Sequence, residues 1–178
     1  FAARLDDHTI SMLFKSAPLH DIGKVGIPDR ILLKPGRYEP EEFAIMKRHP
    51  TLGLQAIEHA EQSLGMSVEF LQMAKEIAYG HHEKWDGSGY PQGLVGEAIP
   101  LSARLMALAD VYDALISRRV YKEGMPHAKA AEIIAQGRGS HFDPDVVDAF
   151  FQIEQTFIDI AQRYIDTDQD LQAKAKQS

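Results

Sequence analysis

The chain has 178 residues, of which 44% are hydrophobic, and its formal net charge is −7. This length and apolar content predict one domain with one sizeable core. The negative charge argues against a large nucleic-acid-binding surface, although it leaves room for a local basic pocket that binds a small anion. Cysteine is absent, which excludes disulfides, thiolate metal sites and cysteine nucleophiles, so a metal site here must use histidine and carboxylate.

Apolar residues recur at spacings of three and four in six stretches, and this period predicts helices. The stretches are 8–19, 41–60, 67–80, 101–117, 127–136 and 144–165. No stretch sustains the period-two alternation of a strand. Two connections rich in glycine and proline interrupt the helical pattern, at 23–37 and 86–100, and the length of the second predicts a functional loop. The sequence therefore predicts an all-α fold.

Two further expectations concern the location of the chain in the cell and its extent. No run of 18 apolar residues and no cleavable signal pattern is present, which predicts a cytoplasmic segment that does not insert into a membrane. The chain begins within helical sequence without a cap, so we expect a single domain, 1–178, that is a fragment lacking an upstream helix or input domain. The polar tail, 167–178, reads as a fraying helix end.

Six ligand-type side chains lie on four segments, and they are His20, Asp21, His49, His81, His82 and Asp110. His20 and Asp21 are adjacent in an apolar setting, and Asp110 interrupts an apolar helical stretch. Burying a bare charge in such places is costly, and a bound cation offsets the cost. Any one of these histidines alone is better explained as an ordinary buried polar residue. The six together favour a metal site.

The ligand types narrow the choice of metal. Histidine and carboxylate without sulfur suit iron, manganese, nickel or zinc. Two octahedral ions need about twelve coordination positions, so six side chains leave several positions for water and phosphate oxygens. An open site of this kind is typical of hydrolytic enzymes.

Four sequence blocks resemble the signature of the HD-GYP family: HDIGKVGIPD at 20–29, HHEKWDGSGYP at 81–91, DVYDALISRRVYK at 110–122 and GSHFDPDVVDAF at 139–150. The resemblance implies a helical HD phosphohydrolase bundle with a glycine-rich GYP loop. It implies hydrolysis of cyclic-di-GMP to linear pGpG or GMP in bacterial second-messenger signalling. The implied cofactors are two divalent ions, or three, with iron or manganese ahead of nickel or zinc. The implied ligands are the same six residues, with Asp21 bridging two ions.

The resemblance also implies contacts with the substrate. Lys24 is expected to contact the phosphate and to act in catalysis, and Arg119 and Lys122 to contact the second phosphate or neighbouring parts of the ligand. For these cations a solvated position is the alternative, since the end of a helix favours positive charge. Asp113 lies one turn from Asp110 and is predicted to brace these cations or a ligand histidine.

The loop that names the family contains Gly89, Tyr90 and Pro91. Gly89 would allow a close backbone approach and Pro91 would fix the exit from the loop. For Tyr90, which we count with Gly89 among the substrate-binding candidates, packing on a base and stapling of the loop are both open, and Trp85 is similarly ambiguous. The remaining histidines are interpreted as surface or capping residues, and they are His8, His59, His127 and His141.

Several alternatives stay open. HD-GYP members with three ions draw a glutamate and a histidine from a helix well upstream, and only 19 residues precede His20. A regulatory module that binds a cyclic dinucleotide or a partner with little activity is a second class of function. A hydrolase of a mixed cyclic dinucleotide such as cyclic GMP-AMP is a third. The family also implies fusion to an upstream sensor or receiver domain, with a homodimer as an open alternative and no large nucleic acid as partner.

Overall fold

A computed structural model describes residues 5–65, 68–117 and 124–164. The chain divides into two compact units, Phe1–Ala107 and Leu108–Ser178. The described ranges are helical and contain two isolated β-bridges but no strand, which confirms the predicted all-α class. None of the helices in these ranges has the length and apolarity needed to cross a membrane.

The α-helices of the described residues follow in chain order, and a long segment, 81–100, separates the fifth from the sixth. They are α1 (Asp7–Ser16), α2 (Asp29–Leu32), α3 (Pro40–Met46), α4 (His49–Leu64), α5 (Glu69–Gly80), α6 (Leu101–Ile116), α7 (His127–Gln136), α8 (Pro144–Gln152) and α9 (Glu154–Arg163). Short 3-10 helices lie at Ala17–Leu19, Ile22–Gly26 and Gly96–Ala98. The connection 23–37 therefore contains helical turns that its proline and glycine content did not predict.

The predicted stretch 41–60 forms two helices, because Pro50 breaks it. A proline ring inside a helix clashes with the carbonyl four residues earlier, here that of Met46, and it offers no N–H to that carbonyl. The side chain of His49 binds this carbonyl instead, since its Nδ1 lies 2.8 Å from the Met46 carbonyl oxygen. The break between α3 and α4 therefore orients His49.

The stretch 144–165 likewise forms two helices, α8 and α9. Asp143 starts α8 as its N-cap, accepting a hydrogen bond from the backbone N–H of Asp145 at 2.8 Å. Such a cap satisfies one of the backbone donors that a helix start leaves without partners. Ile153 separates α8 from α9.

The first unit is built on α4, which packs against α5 and against the Ile22–Gly26 turn. One apolar cluster joins α4 to α5, and it contains Ile57, Leu71, Ala74 and Ala78. A second cluster holds α2 against α3, and it contains Ile27, Ile31 and Met46. A Cβ at Gly23 would overlap the carbonyl oxygen of His49. Glycine therefore lets the segment around Asp21 lie directly against the start of α4.

The second unit has an aromatic core. The rings of Tyr112, Phe150 and Phe157 meet with centroid distances of 4.7 to 5.5 Å. Aromatic pairs at these separations and tilts stabilise a core beyond the area that they bury. Ile134 on α7 and Val147 on α8 are also fully buried in this unit.

Candidate metal centre

Ligand atoms from four residues gather in the first unit. The atoms belong to Asp21, His49, His81 and His82 and lie within 4.8 Å of one another. His20 adjoins this group, because its Nε2 lies 3.3 Å from Asp21 Oδ2. We call these five residues the His–Asp cluster. The structure thus brings together five of the six predicted metal ligands.

Three histidines of the His–Asp cluster are oriented by the same kind of hydrogen bond to the backbone. The Nδ1–H groups of His20, His49 and His81 donate to backbone carbonyls three or four residues earlier, at 2.9, 2.8 and 3.0 Å respectively. A carbonyl only accepts, so Nδ1 carries a proton in all three rings, and in the neutral rings of His49 and His81 Nε2 presents its lone pair. Backbone carbonyls commonly fix metal-binding histidines in this way.

Those lone pairs converge on Asp21. Nε2 of His49 lies 3.4 Å from Asp21 Oδ1, and Nε2 of His81 lies 3.8 Å from the same oxygen. Both Asp21 Oδ1 and His81 Nε2 are buried, and neither has a hydrogen-bond partner within residues 5–65, 68–117 and 124–164. A buried polar atom without a partner costs about 1–3 kcal/mol, and two lone pairs that face each other also repel. A cation between them would relieve both costs, so this donor set fits a metal ion.

Burial keeps the imidazoles ready to bind a cation. It lowers the pKa of His49, lowers that of His81 to about 4, and lowers that of His82 to about 2. At neutral pH these rings are therefore uncharged, and their contacts with Asp21 are not ion pairs. Burial would raise the pKa of Asp21, but the His20 imidazole and the Lys24 ammonium outweigh it and hold that pKa well below its usual range. Neutral histidines and an ionised carboxylate are the forms that bind metals.

The spacing of His49 and His82 also suits a shared ion. Their Nε2 atoms lie 3.1 Å apart. Two imidazole nitrogens bound at right angles to one ion, at a bond length of about 2.1 Å, stand about 3.0 Å apart. The Tyr90 ring stacks on His82 with a centroid distance of 4.8 Å and an angle of 25°. Tyr90 therefore packs on a candidate ligand histidine, and its contact with a base stays a prediction.

A buried glutamate anchors the GYP loop beside the His–Asp cluster. Glu83 is 2% exposed, and its carboxylate accepts the backbone N–H groups of Gln92 at 2.7 Å and Leu94 at 3.0 Å. Gly89 is required there, because a Cβ would overlap the backbone N of Lys84. Glu83 was not predicted as a functional residue. Its position directly after the two histidines and before a long loop was the available signal.

The remaining predicted site residues differ in where they lie. Lys24 donates to Asp21 Oδ2 and so lies at the His–Asp cluster. Asp110 lies on the part of α6 that belongs to the second unit, and its role as a ligand stays a prediction. Asp113 is exposed and accepts a hydrogen bond from the Ser117 hydroxyl at 3.1 Å, so its bracing role also stays a prediction. Arg119 and Lys122 lie outside the described residues.

Three of the other histidines have partners in the protein through their rings. His8 is exposed and contacts Glu69 at 2.8 Å, and the ring of His141 stacks on Phe142. His127 lies between the Tyr112 hydroxyl and the Glu154 carboxylate. That last network was not expected, because the three residues are distant in sequence.

The chain is thus a helical domain in which an adjacent His–Asp pair and further histidines form a candidate metal site. A model of the HD domain family matches residues 2–146, and the chain belongs to this family. In Vibrio cholerae serotype O1, a probable cyclic di-GMP phosphodiesterase is 65% identical over 91% of this chain and 37% of its own length. A cyclic di-GMP phosphodiesterase of the same organism is 63% identical over 88% of this chain and 32% of its own length.

Two further comparisons bear on substrate and fold. A 3'3'-cGAMP-specific phosphodiesterase 2 of Vibrio cholerae serotype O1 is 42% identical over 88% of this chain and 29% of its own length. The solved structure of Bd1817, an HDG"Y"P protein from Bdellovibrio bacteriovorus, matches with a TM-score of 0.61 and 26% identity, over 85% of this chain and 45% of that chain. The chain thus spans about a third of the length of the curated relatives named here.

Proposed function

We propose that this chain is a metal-dependent phosphodiesterase that hydrolyses cyclic-di-GMP in bacterial second-messenger signalling. The observation that carries the proposal is the pair of buried ligand-type atoms, Asp21 Oδ1 and His81 Nε2, which have no hydrogen-bond partner among the described residues. The cyclic di-GMP phosphodiesterases with 65% and 63% identity support the choice of substrate.

The proposed centre holds two divalent ions, iron or manganese ahead of nickel or zinc, with a third ion left open. Asp21 would bridge the ions, since both of its oxygens face imidazole nitrogens. The other proposed ligands are His20, His49, His81, His82 and, from the family resemblance alone, Asp110. Bound ions would acidify a water molecule and neutralise charge on the phosphate.

The protein's own groups have separate tasks in this scheme. The backbone carbonyls that bind His20, His49 and His81 keep each Nε2 directed at the site. Lys24 would exchange its contact with Asp21 for a phosphate oxygen and so add a positive charge at the developing anion. Arg119 and Lys122 are proposed to bind the second phosphate. Water adds across one P–O bond to give linear pGpG, and a second addition gives two molecules of GMP.

A mixed cyclic dinucleotide is a second candidate substrate, favoured by the 42% identity to a 3'3'-cGAMP-specific phosphodiesterase. Base selection depends on the surfaces around the His–Asp cluster rather than on the cluster itself. An upstream sensor or receiver domain and a homodimer are likewise proposed from the family resemblance.

Product analysis tests the proposal. The chain is stripped with a chelator, reloaded anaerobically with Fe²⁺ or Mn²⁺, and incubated with cyclic-di-GMP or 3'3'-cGAMP. We expect the reloaded chain to form linear dinucleotide or mononucleotide and the stripped chain to form neither. A reloaded chain that binds metal yet leaves both substrates intact would contradict the proposal and favour a regulatory binding module.

A further inference from the structure

A group of exposed and half-buried side chains adjoins the His–Asp cluster on the side of the GYP loop. It consists of Phe43, Lys47 and Tyr90, and we call it the aromatic platform. Phe43 and Tyr90 meet edge to face with a centroid distance of 6.4 Å. The Lys47 ammonium lies 5.2 Å from the centroid of the Phe43 ring and 5.8 Å from that of Tyr90. Two rings and one cation therefore share a single surface.

The aromatic platform is joined to the candidate metal centre by both backbone and ring contacts. Tyr90 stacks on His82, and its backbone N–H donates to the His82 carbonyl at 3.1 Å. Lys47 precedes His49 by two residues, at the break that Pro50 imposes between α3 and α4. A phosphodiester bound at the His–Asp cluster would therefore have this surface within reach of an attached base.

The charge of Lys47 is available to a ligand. No carboxylate in residues 5–65, 68–117 and 124–164 forms an ion pair with it. The nearby Glu42 is occupied, because it binds Lys34 at 2.5 Å and accepts the Glu39 backbone N–H at 2.8 Å. The Phe43 ring is 44% exposed. A single exposed phenylalanine is ordinary on a protein surface. Its combination with a cation and a neighbouring candidate active site indicates a ligand-binding surface.

The chemistry of the aromatic platform matches a purine base. Nucleobases stack on aromatic side chains, and each stacked base strengthens binding about five- to 150-fold. A lysine ammonium donates hydrogen bonds to acceptors, and guanine offers two adjacent acceptors, O6 and N7. Adenine places an N6 donor beside its N7 acceptor, which repels an ammonium. The aromatic platform thus favours guanine over adenine.

We propose that Phe43, Lys47 and Tyr90 bind one guanine base of the cyclic dinucleotide, with Phe43 providing ring contact and Lys47 selecting guanine. This inference rests on the proposed phosphodiesterase function and names the residues that determine its base specificity. Tyr90 acts in both places, since it also supports His82.

Competition against a reporter substrate tests the inference. Hydrolysis of bis-(p-nitrophenyl) phosphate by the metal-loaded chain is measured with cyclic-di-GMP, cyclic-di-AMP or inorganic phosphate as competitor, for wild type, Phe43→Ala and Lys47→Met. Each inhibition constant is referred to the variant's own reporter rate. Methionine keeps the apolar stem of Lys47 and removes its charge. Phe14→Ala and Lys15→Ala, at exposed positions on α1, are matched controls.

We expect Phe43→Ala to raise the inhibition constants of both dinucleotides about tenfold, from the loss of one stacked base. Lys47→Met should raise the constant of cyclic-di-GMP about fivefold more than that of cyclic-di-AMP, since only guanine offers the second acceptor. The constant of inorganic phosphate should change less than twofold in both variants. The controls should match wild type.

Unchanged dinucleotide constants in both variants would overturn the inference. So would a rise for inorganic phosphate equal to that for the dinucleotides, because the aromatic platform would then act only by supporting the His–Asp cluster. If neither dinucleotide competes in the wild type while the reporter is hydrolysed, the proposed function itself fails. If both compete in the wild type and equally well in the variants, the proposed function stands and only the base-binding assignment is lost.

Discussion

Each unit contains a histidine that contacts other residues through its ring, His81 buried in the first unit and His127 half-buried in the second, and their partners differ. In the second unit, Nδ1 of His127 lies 2.8 Å from the Tyr112 hydroxyl and Nε2 lies 2.7 Å from the Glu154 carboxylate. In the first unit, His81 binds a carbonyl through Nδ1, but its buried Nε2 has no hydrogen-bond partner and faces an oxygen of Asp21. Protein groups satisfy His127 on both sides, whereas His81 is satisfied on one side.

This difference separates a structural histidine from a candidate ligand. Folded proteins pair almost all of their buried polar atoms, so an exception requires an explanation. His127 is not an exception, because protein groups contact both of its ring nitrogens. For His81 Nε2 and Asp21 Oδ1 the proposed cation would be the missing partner, and the carbonyl that binds His81 Nδ1 leaves Nε2 unprotonated to bind it. The predictions below test whether the two kinds of histidine behave differently.

The largest effect is expected at Asp21, where both sides of the carboxylate face imidazole nitrogens. Asp21→Ala should remove most bound metal and lower phosphodiesterase turnover by at least about 100-fold, since the paired ions supply the chemistry. Steady-state rates with cyclic-di-GMP and elemental analysis measure both. Asp148→Ala is the control, because Asp148 is an exposed aspartate bound to Arg138 in the second unit. Normal turnover in Asp21→Ala would show that the bridging assignment is wrong.

Acid should destabilise the metal-free chain through the first unit. Histidine in an unfolded chain has a pKa near 6.5, whereas burial lowers that of His81 to about 4. Between these values the unfolded chain binds more protons, so the free energy of unfolding falls as the pH falls through this window. For His81 alone the loss is on the order of 3 kcal/mol, and His49 and His82 change it in the same direction.

Urea unfolding of the chelated chain between pH 7 and pH 4.5 measures this loss. His81→Gln should flatten the dependence, because it removes one of the groups that titrate. A wild-type chain whose free energy of unfolding is constant over this range would contradict the assigned burial of the histidines.

A smaller effect is expected in the second unit. His127→Leu should lower the free energy of unfolding by about 1–2 kcal/mol, because it leaves the hydroxyl of buried Tyr112 without its partner, whereas the half-exposed Glu154 carboxylate is solvated when released. Tyr112→Phe should cost about 1 kcal/mol, since only one hydrogen bond is lost. Metal content should equal that of wild type in both variants. Loss of metal from either would mean that the network of His127 is part of the metal site.

The sequence predicted which side chains of the first unit lie together, but not the contacts that orient them. The grouping of His20, Asp21, His49, His81 and His82 was predictable because few arrangements offset a buried charge, and their role as metal ligands stays a prediction. The carbonyl partners of these rings were not predictable, since they depend on where helices end. The break at Pro50 shows why, because a period-based prediction joins α3 and α4, whereas the proline separates them and frees the carbonyl that orients His49.

Contacts between distant segments were the least predictable. The hydrogen bonds from Glu83 to the backbone of the GYP loop, the stacking of Tyr90 on His82 and the placement of Lys47 over two rings all need the folded loop. In the second unit, Tyr112 and Glu154 are separated from His127 by 15 and 27 residues. No spacing rule relates such positions, so His127 was interpreted only as a surface or capping residue.

The central claim is that Asp21 Oδ1 and His81 Nε2 are metal ligands. Elemental analysis of the purified chain tests it most directly. Wild type, Asp21→Asn and His127→Gln are compared after identical purification and reloading. Asparagine and glutamine keep roughly the size of the side chains that they replace. The account predicts at least two transition-metal ions per chain in wild type and in His127→Gln, and loss of most of the metal in Asp21→Asn. Full metal content in Asp21→Asn, or none in wild type, would contradict it.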